Sequence, residues 1–400
     1  MDYEGNMITS IQVSGFKSLR DIEIELGTVN VFIGANGSGK SNILEAVGLL
    51  SSAASGRIDD ESLIRRGVRP GLPRLYKSSF KHGRTRPHIR LTAKSRNVSY
   101  SVALLNPLKD PRPSWEYKAE ELALGQDPVV TRRGSANGVY DPTRGLAAVR
   151  ALELGRDHPG SLLLNTLRDY AIYSPGTSFL RGVVSDPQTR DPVGLSGGGL
   201  ASALLKLQKL SGKDERIGAA LEDVLSALDW AENFDISPSA GELLSPSVPR
   251  PRHTLRFRDR HMLSERNTLT AYDASEGALY LLFVAVLALS PASPACLAVD
   301  NLDQALNPRL LKRLVGLLCN WVLENGAGQI LCTVHNPAAI DGLLLSDDRA
   351  RLFAVDRNNY GCTTVRRVAV TPELLSLCKK KDWPLSRLWM MGHIGGVPSV

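Results

Sequence analysis

The stretch that decides the fold is Gly34-Ala35-Asn36-Gly37-Ser38-Gly39-Lys40-Ser41. It fits the phosphate-binding pattern G-x-x-x-x-G-K-[ST] at every fixed position. Val29-Asn30-Val31-Phe32-Ile33 before it is a short apolar run that reads as a buried strand. Asn42-Ile43-Leu44-Glu45-Ala46-Val47-Gly48-Leu49-Leu50 after it reads as a helix. Strand, glycine-rich loop and helix together turn the pattern into a site. The backbone N–H groups of Gly37, Ser38 and Gly39 can turn inward around phosphate oxygens, and the helix N-terminus adds partial positive charge. Lys40 is expected to reach the β- and γ-phosphates, and the Ser41 hydroxyl to sit on Mg²⁺. The bland alternative is a glycine-rich turn that fits by chance.

A chain of 400 residues has room for one elaborated domain or two. Apolar content of 43% with charged content of 22% suits an ordinary water-soluble fold. A formal charge of +7 suits a polyanionic partner without requiring one. Five cysteines form no C-x-x-C pair and lie largely inside apolar runs, which favours buried thiols over metal ligation. The N-terminus has neither the basic nor the apolar region of a signal peptide. The longest apolar run, 278–289, is too short to span a bilayer. The expectation is a cytoplasmic protein without membrane contact.

Along the chain, Ile8, Ile11 and Val13 lead to Gly15-Phe16-Lys17-Ser18. Ile22, Ile24 and Leu26 then alternate with Asp21, Glu23 and Glu25, so 7–26 reads as two strands, the second with one wet face. Between Arg57 and Arg96 there are 12 Lys or Arg against 3 Asp or Glu. That stretch reads either as a sheet with one basic face for a DNA or RNA backbone, or as a solvated arginine-rich surface. Prolines and glycines across 107–145 suggest loops and short hairpins, one of them pairing 129–132 with 138–140. From 146 to 248 the pattern turns helical, with apolar spacing at 162–172, 200–210 and 217–230, and no heptad run long enough for a long coiled coil. The stretch 252–272 reads as two strands, with Thr254, Arg256, Arg258 and Arg260 on one face. Asp273-Ala274-Ser275-Glu276-Gly277 then precedes the apolar helix 278–289, with Ser275 as a helix cap. A buried strand ends at Asp300, and another ends at His335-Asn336-Pro337. Strands at 352–356 and 363–370, a helix from Pro372, and a tail with Trp383, Trp389, Met390 and Met391 complete the chain. That tail either packs on the core or docks a partner.

These pieces in this order resemble ABC/SMC-type ATPase heads. A strand ending in Gly15-Phe16-Lys17-Ser18-Leu19, an acid-alternating strand and then the phosphate loop are similar to the RecF/OLD-like stand-alone ATPases of bacteria. The resemblance covers 7–50 and 273–370. It implies an α/β P-loop NTPase head, a mixed sheet with a helical insertion and no long coiled coil. The expected division is an N-terminal lobe over 1–145 with the phosphate loop and a basic sheet, a helical insertion over 146–248, and a C-terminal lobe over 249–400. ATP and Mg²⁺ are the implied cofactors. The turn at 16–18 would lie near the base and Asn36 beside the phosphates. Ser275 and Gly277 match a degenerate signature that binds the γ-phosphate held by another subunit, implying an ATP-sandwiched homodimer or higher homo-oligomer.

Asp300 matches the Walker B aspartate that holds Mg²⁺. The family usually continues "DEPE-x-x-LHP"; this chain reads Asp300-Asn301-Leu302-Asp303-Gln304-Ala305-Leu306-Asn307-Pro308. Asn301 stands where the water-activating Glu belongs. An amide can position water but cannot accept its proton at neutral pH. Three outcomes follow: slow hydrolysis with a persistent ATP-bound dimer, a carboxylate supplied by Asp303, or a partner that completes the site. His335 matches a switch histidine that senses the γ-phosphate. Leu195-Ser196-Gly197-Gly198-Gly199 mimics a transporter signature but lies about a hundred residues before Asp300, too early to lead into that strand, and reads as the start of a structural helix. No Gln occurs between Ser41 and Arg96, so the usual Q-loop is missing. After His335 there is no D-x-D, H-N-H or zinc spacing, so no nuclease of its own is expected. The implied function is an ATP-binding, slowly hydrolysing ATPase whose dimer scaffolds or regulates an effector (a nuclease or toxin encoded nearby) in anti-phage defence. The alternatives are a non-hydrolysing, nucleic-acid-binding scaffold and a RecF-like DNA-repair ATPase.

Overall fold

Apolar–polar alternation in the first third of the chain builds an antiparallel sheet around β1 (Ser10–Phe16) and β2 (Leu19–Glu25). The phosphate-loop strand β3 (Val29–Ile33) and helix α1 (Lys40–Ala54) follow, then two short helices, α2 (Asp60–Ile64) and α3 (Pro73–Tyr76). Strands β4 (Ile89–Ser95), β5 (Val98–Leu105), β6 (Glu116–Leu124) and β7 (Asp127–Arg133) complete the first sheet in the order β2-β1-β4-β5-β6-β7. Next come α4 (Leu146–Glu153), α5 (Pro159–Asp169), β8 (Ala171–Tyr173), α6 (Thr177–Leu180), α7 (Leu200–Ser211) and α8 (Glu215–Ala227). Strands β9 (Ala231–Ser237), β10 (Thr254–Asp259) and β11 (Thr268–Thr270) form a small antiparallel sheet. The last third supplies α9 (Glu276–Leu289), β12 (Cys296–Val299), α10 (Pro308–Asn325), β13 (Gln329–Val334), β14 (Ala350–Arg357), β15 (Thr363–Val368) and α11 (Leu385–Met390). This computed structural model describes residues 7–81, 86–133, 140–238, 243–325, 328–369, 378, 380–381 and 383–392.

The sheet that carries the site has the order β15-β14-β3-β13-β12-β8. All neighbours are parallel except the edge strand β15. Its central strands are buried at every residue because each face meets a separate core. Val29, Val31 and Ile33 of β3, with Ile330, Cys332 and Val334 of β13, point into a core shared with α7, α8, α9 and α10. Phe32 and Leu331 point the other way, into a core built with α1, α5 and the antiparallel sheet. Helix α9 is apolar on every side and buried from Ala278 to Leu289, as a helix packed all round must be.

This arrangement redraws the expected lobes. Strand β3 pairs with β13 and β14 from the far end of the chain, so the phosphate loop belongs to their sheet and not to the N-terminal one. The stretch 146–248 is not one insertion. Residues of α4 and α5 pack in the core beside α1, α7 and α8 pack on α9, and β8 is an edge of the nucleotide sheet. Strand β7 pairs with β6 across the Gly125 turn, and most of the segment expected to pair with it, 138–140, lies outside the described residues. The loop expected at 134–138 and the helix expected from Pro372 lie outside the described residues. Of the tail, Leu388 and Trp389 are buried in the core, whereas Met390 and Met391 are exposed.

Part of the basic stretch is paired within the chain. Arg86 reaches Asp21 at 2.8 Å, Lys94 lies 3.7 Å from Glu23, and Arg69 reaches Glu45 at 2.7 Å. Arg66 is buried and donates to Ser51 at 2.6 Å and to the Ser62 carbonyl at 2.8 Å. Antiparallel pairing sets acidic β2 beside β1 and basic β4 on its other side, so much of the charge cancels within the sheet.

One buried carboxylate ties this sheet to α4. Glu120 of β6 is 1% exposed and accepts from the amides of Leu146 at 2.6 Å and Ala147 at 3.1 Å, and from the Tyr100 hydroxyl at 3.0 Å. Burial pushes its carboxyl above the usual range, against the pull of those donors. Gly145, the helix-capping position, has no side chain to do this work. Replacing Glu120 by Ala strands three buried donors, so Glu120→Ala is expected to lower the unfolding free energy by about 2–4 kcal/mol. Denaturant titration measures that loss.

Candidate functional site

The parallel strands deliver their C-terminal ends to one edge, and the phosphate loop sits there. Two of its glycines are required by close approach. A Cβ on Gly34 would lie 2.0 Å from the Val355 carbonyl, and one on Gly39 would lie 2.1 Å from Thr363 Oγ1. Gly39 also holds φ 109°, a left-handed value that favours glycine. Gly37 has open space around it, and Asn36 and Gly37 are the exposed tip. Lys40 opens α1 and is 4% exposed. Its Nζ donates to the carbonyls of Gly34 at 2.8 Å and Ala35 at 2.9 Å, and lies 3.1 Å from His335 Nδ1. The Ser38 hydroxyl is buried without a partner among the described residues.

Strands β12 and β13 bring the rest. The Asp300 carboxylate accepts from Ser41 Oγ at 3.0 Å and Thr333 Oγ1 at 2.5 Å. The same Thr333 oxygen accepts from the Asn301 amide at 2.8 Å. Asn301 has φ 56°, an unusual conformation that this bond and the His335 contact hold in place. Asp303 turns its Oδ2 toward the amides of His335 at 2.8 Å and Asn336 at 2.6 Å. That oxygen is therefore engaged in fixing the turn at His335 and Asn336.

His335 connects these parts. Lys40 is only a donor, so Nδ1 accepts from it and the ring proton sits on Nε2. That proton is donated to Asn301 Oδ1 at 3.0 Å. Burial, with the Lys40 charge second, holds the His335 imidazole below its usual pKa. Burial also brings Lys40 down to about 8, against the opposing fields of Asp303 and Asp300. Lys40, His335 and Asn301 thus form a hydrogen-bonded chain from the phosphate loop to the residue that follows Asp300.

Sequence reading missed the surrounding supports. The Thr363 hydroxyl of β15 donates its one proton to the Ser38 carbonyl at 2.7 Å and lies 2.7 Å from Ser18 Oγ, which accepts from Asn42 at 2.7 Å and can donate to Thr363. Thus the 16–18 turn, the loop and the edge strand are locked together. Glu45 of α1, nearly fully buried, pairs with Lys17 and Arg69. Burial alone would raise its carboxyl, but Arg69 and Lys17 outweigh that and hold it below its usual value.

Ser275 and Gly277 lie apart from this network. Ser275 is exposed and caps α9, accepting from the Ala278 amide at 3.4 Å. A Cβ on Gly277 would lie 3.1 Å from Leu310, so the helix start packs on the beginning of α10. No hydrogen bond joins either residue to the loop among the described residues. The 195–199 decoy is indeed structural: Asp186 Oδ2 accepts from the amides of Ser196 at 2.8 Å and Gly198 at 3.3 Å, occupying groups that a phosphate would need.

A family model described as "AAA domain, putative AbiEii toxin, Type IV TA system" matches residues 29–341, most of the chain. The chain belongs to this AAA-domain family. Among curated relatives of this AAA-domain protein, RecF of Renibacterium salmoninarum is 43% identical over 70 residues, 17% of each chain. RecF of Corynebacterium jeikeium is 36% identical over 62 residues, so the chain spans only 15% of that relative's length. The uncharacterized protein MJECL10 of Methanocaldococcus jannaschii is 26% identical over 165 residues, 37% of this chain and 75% of that one. An Smc head solved bound to the C-winged helix domain of ScpA is 14% identical, with a TM-score of 0.52 over 92% of this chain and 99% of that one. An Smc head from Pyrococcus furiosus gives 13% identity and a TM-score of 0.51 over 94% and 99%. At such identity the likeness establishes the fold, an ABC/SMC-type ATPase head without a long coiled coil in the described residues. No helix among the described residues is long and apolar enough to cross a membrane.

The protonation pattern is measurable without a nucleotide. At pH 7, ¹⁵N NMR of the His335 ring is expected to show a neutral Nε2–H tautomer titrating below the usual histidine range. Lys40→Met removes one cause of that depression and is expected to raise the value, while burial keeps part of the shift.

Proposed function

We propose that this chain is an ATP-binding, slowly hydrolysing ATPase whose ATP-held dimer regulates a partner effector. The observation that carries the reading is the pairing of a complete phosphate cradle with Asn301 in the base position. ATP phosphates would lie on the amides of the 36–39 segment and on Lys40. Ser41 and Asp300, already 3.0 Å apart, would hold Mg²⁺, whose chemistry there is to neutralise phosphate charge. Among the protein's own groups, Asn301 Oδ1 is turned to His335 and has little basicity. Asp303 uses one oxygen on the switch loop, which disfavours it as the base. His335 is neutral, and once Lys40 turns to phosphate its Nδ1 becomes free to accept a proton or hydrogen bond.

Exposure of Ser275 at the start of α9 supports its use on a nucleotide held by a second copy, giving a homodimer or higher homo-oligomer. Two comparisons support a partner: the family description names a toxin and a toxin–antitoxin system, and an Smc head was solved bound to ScpA. On that basis we place the dimer with a nuclease or toxin effector in cytoplasmic anti-phage defence. The RecF matches favour a second reading, a DNA-repair ATPase. The nucleic-acid scaffold loses support from the internal pairing of the basic stretch.

Steady-state ATP hydrolysis tests the central claim. Wild type should turn over slowly, Lys40→Ala not at all, and Asn301→Glu faster by on the order of tenfold or more, the scale of a restored general base. An Asn301→Glu protein that binds ATP yet is no faster removes the natural-brake reading. Light scattering with ATP should show a dimer that Ser275→Arg disrupts.

Affinity should also depend on pH. Phosphate favours the Lys40 ammonium, so binding takes up a proton once the free group, at about 8, has lost it. ATP affinity is expected to be flat below that value and to fall above it, by up to about tenfold per pH unit. Lys40→Arg, charged throughout, flattens the profile in a fluorescent-ATP titration.

A further inference from the structure

A second cavity, of about 230 Å³, lies between the 180–185 segment, the start of α7 and the residues that lead into β10. Two of its polar atoms are unpaired in a way the nucleotide site does not explain. Thr254, the first residue of β10, is 3% exposed, and its hydroxyl has no hydrogen-bond partner among the described residues. Arg181 is half-buried, and its Nε is likewise buried and unpartnered. No ion pair to Arg181 occurs among the described residues. Its guanidinium instead lies over the Tyr272 ring, 5.9 Å from the centroid. Neighbouring carboxylates are committed elsewhere: Asp186 to the Ser196 and Gly198 amides, and Asp273 to Thr270 at 2.8 Å.

An arginine cannot shed its charge to relieve burial, so this cation must be solvated or matched by an anion. The walls are mixed, with serine, threonine and histidine side chains beside an apolar part. Leu244 and Val248 form a small cluster with Val183, and Leu180 and Leu255 line the same space. Arg252, exposed, adds a second cation to the lining.

We propose that this cavity is a ligand site for a compact anion with an apolar body, its carboxylate or phosphate head on Arg181 and Thr254. The volume is smaller than the roughly 300–1,000 Å³ of drug-sized sites, so the ligand is small. The site is separate from the phosphate loop. Its wall includes Tyr272, three residues before Ser275, so an occupant touches the segment that leads into α9.

Isothermal titration of the full chain without nucleotide tests this with three probes: benzoate, phenyl phosphate and neutral benzyl alcohol. At least one anion is expected to bind with a millimolar or tighter dissociation constant, and benzyl alcohol at least tenfold more weakly. The stronger anion identifies the head group. Arg181→Gln should weaken that binding at least tenfold, and the isosteric Thr254→Val several-fold. Lys40→Ala should leave it unchanged, which separates this site from the phosphate loop. Thr254→Val carries the test if Arg181→Gln does not fold. Absence of binding by both anions, equal binding of benzyl alcohol, or binding lost only in Lys40→Ala overturns the proposal.

Discussion

The Thr333 hydroxyl holds the site together. It donates to the Asp300 carboxylate at 2.5 Å and accepts the Asn301 amide at 2.8 Å, joining the ends of two parallel strands at one oxygen. Thr333 is fully buried, so neither bond competes with water. Through Asp300 the link continues to Ser41 and the first turn of α1. Through Asn301 it continues to His335 and then to Lys40. A movement of either strand end is therefore felt at both the cation side and the base position.

That precision depends on a sheet that cannot slide. In β3, β12 and β13 successive side chains enter opposite cores, so a one-residue slip would exchange every one of them between two packed interiors. The glycine contacts add a second constraint. Gly34 lies against Val355 of β14 and Gly39 against Thr363 of β15, so the loop is moulded by strands more than 300 residues away in sequence. The site edge is rigid because packing and covalent geometry agree there.

The residues gathered at the candidate site, Lys40 and Ser41, Asp300, and His335, were legible because each sits at the end of an apolar strand that the sequence displays. The two-core sheet was not. A continuous apolar run says that both faces are buried without saying which elements cover them, so it does not display the pairing of β3 with β13 and β14. Strand β6 was hidden because its Glu116 and Glu120 look solvent-facing, whereas Glu116 pairs locally with Arg112 and Lys118 and Glu120 is buried against Tyr100 and the α4 amides. Strand β8, three residues long, has no periodicity to read. Thr333, Ser18, Thr363 and Glu45 are ordinary residue types. Their importance arises from contacts that join segments distant in the chain, such as Thr363 with Ser18.

Asn301 gains a physical rationale from its neighbours. Asp300 and Asp303 already place two negative groups near Lys40, which is why both act to raise its affinity for a proton. A glutamate at 301 would add a third, beside a cradle that the proposed reading fills with a triphosphate. Like charges so placed oppose phosphate binding and favour a protonated His335. The asparagine removes that repulsion, keeps an acceptor for the His335 Nε2–H, and gives up the proton acceptor that fast hydrolysis needs. On the proposed reading, asparagine at 301 would favour holding the nucleotide over cleaving it. Those would be the properties of a clamp set by ATP and released slowly, rather than of a cycling motor.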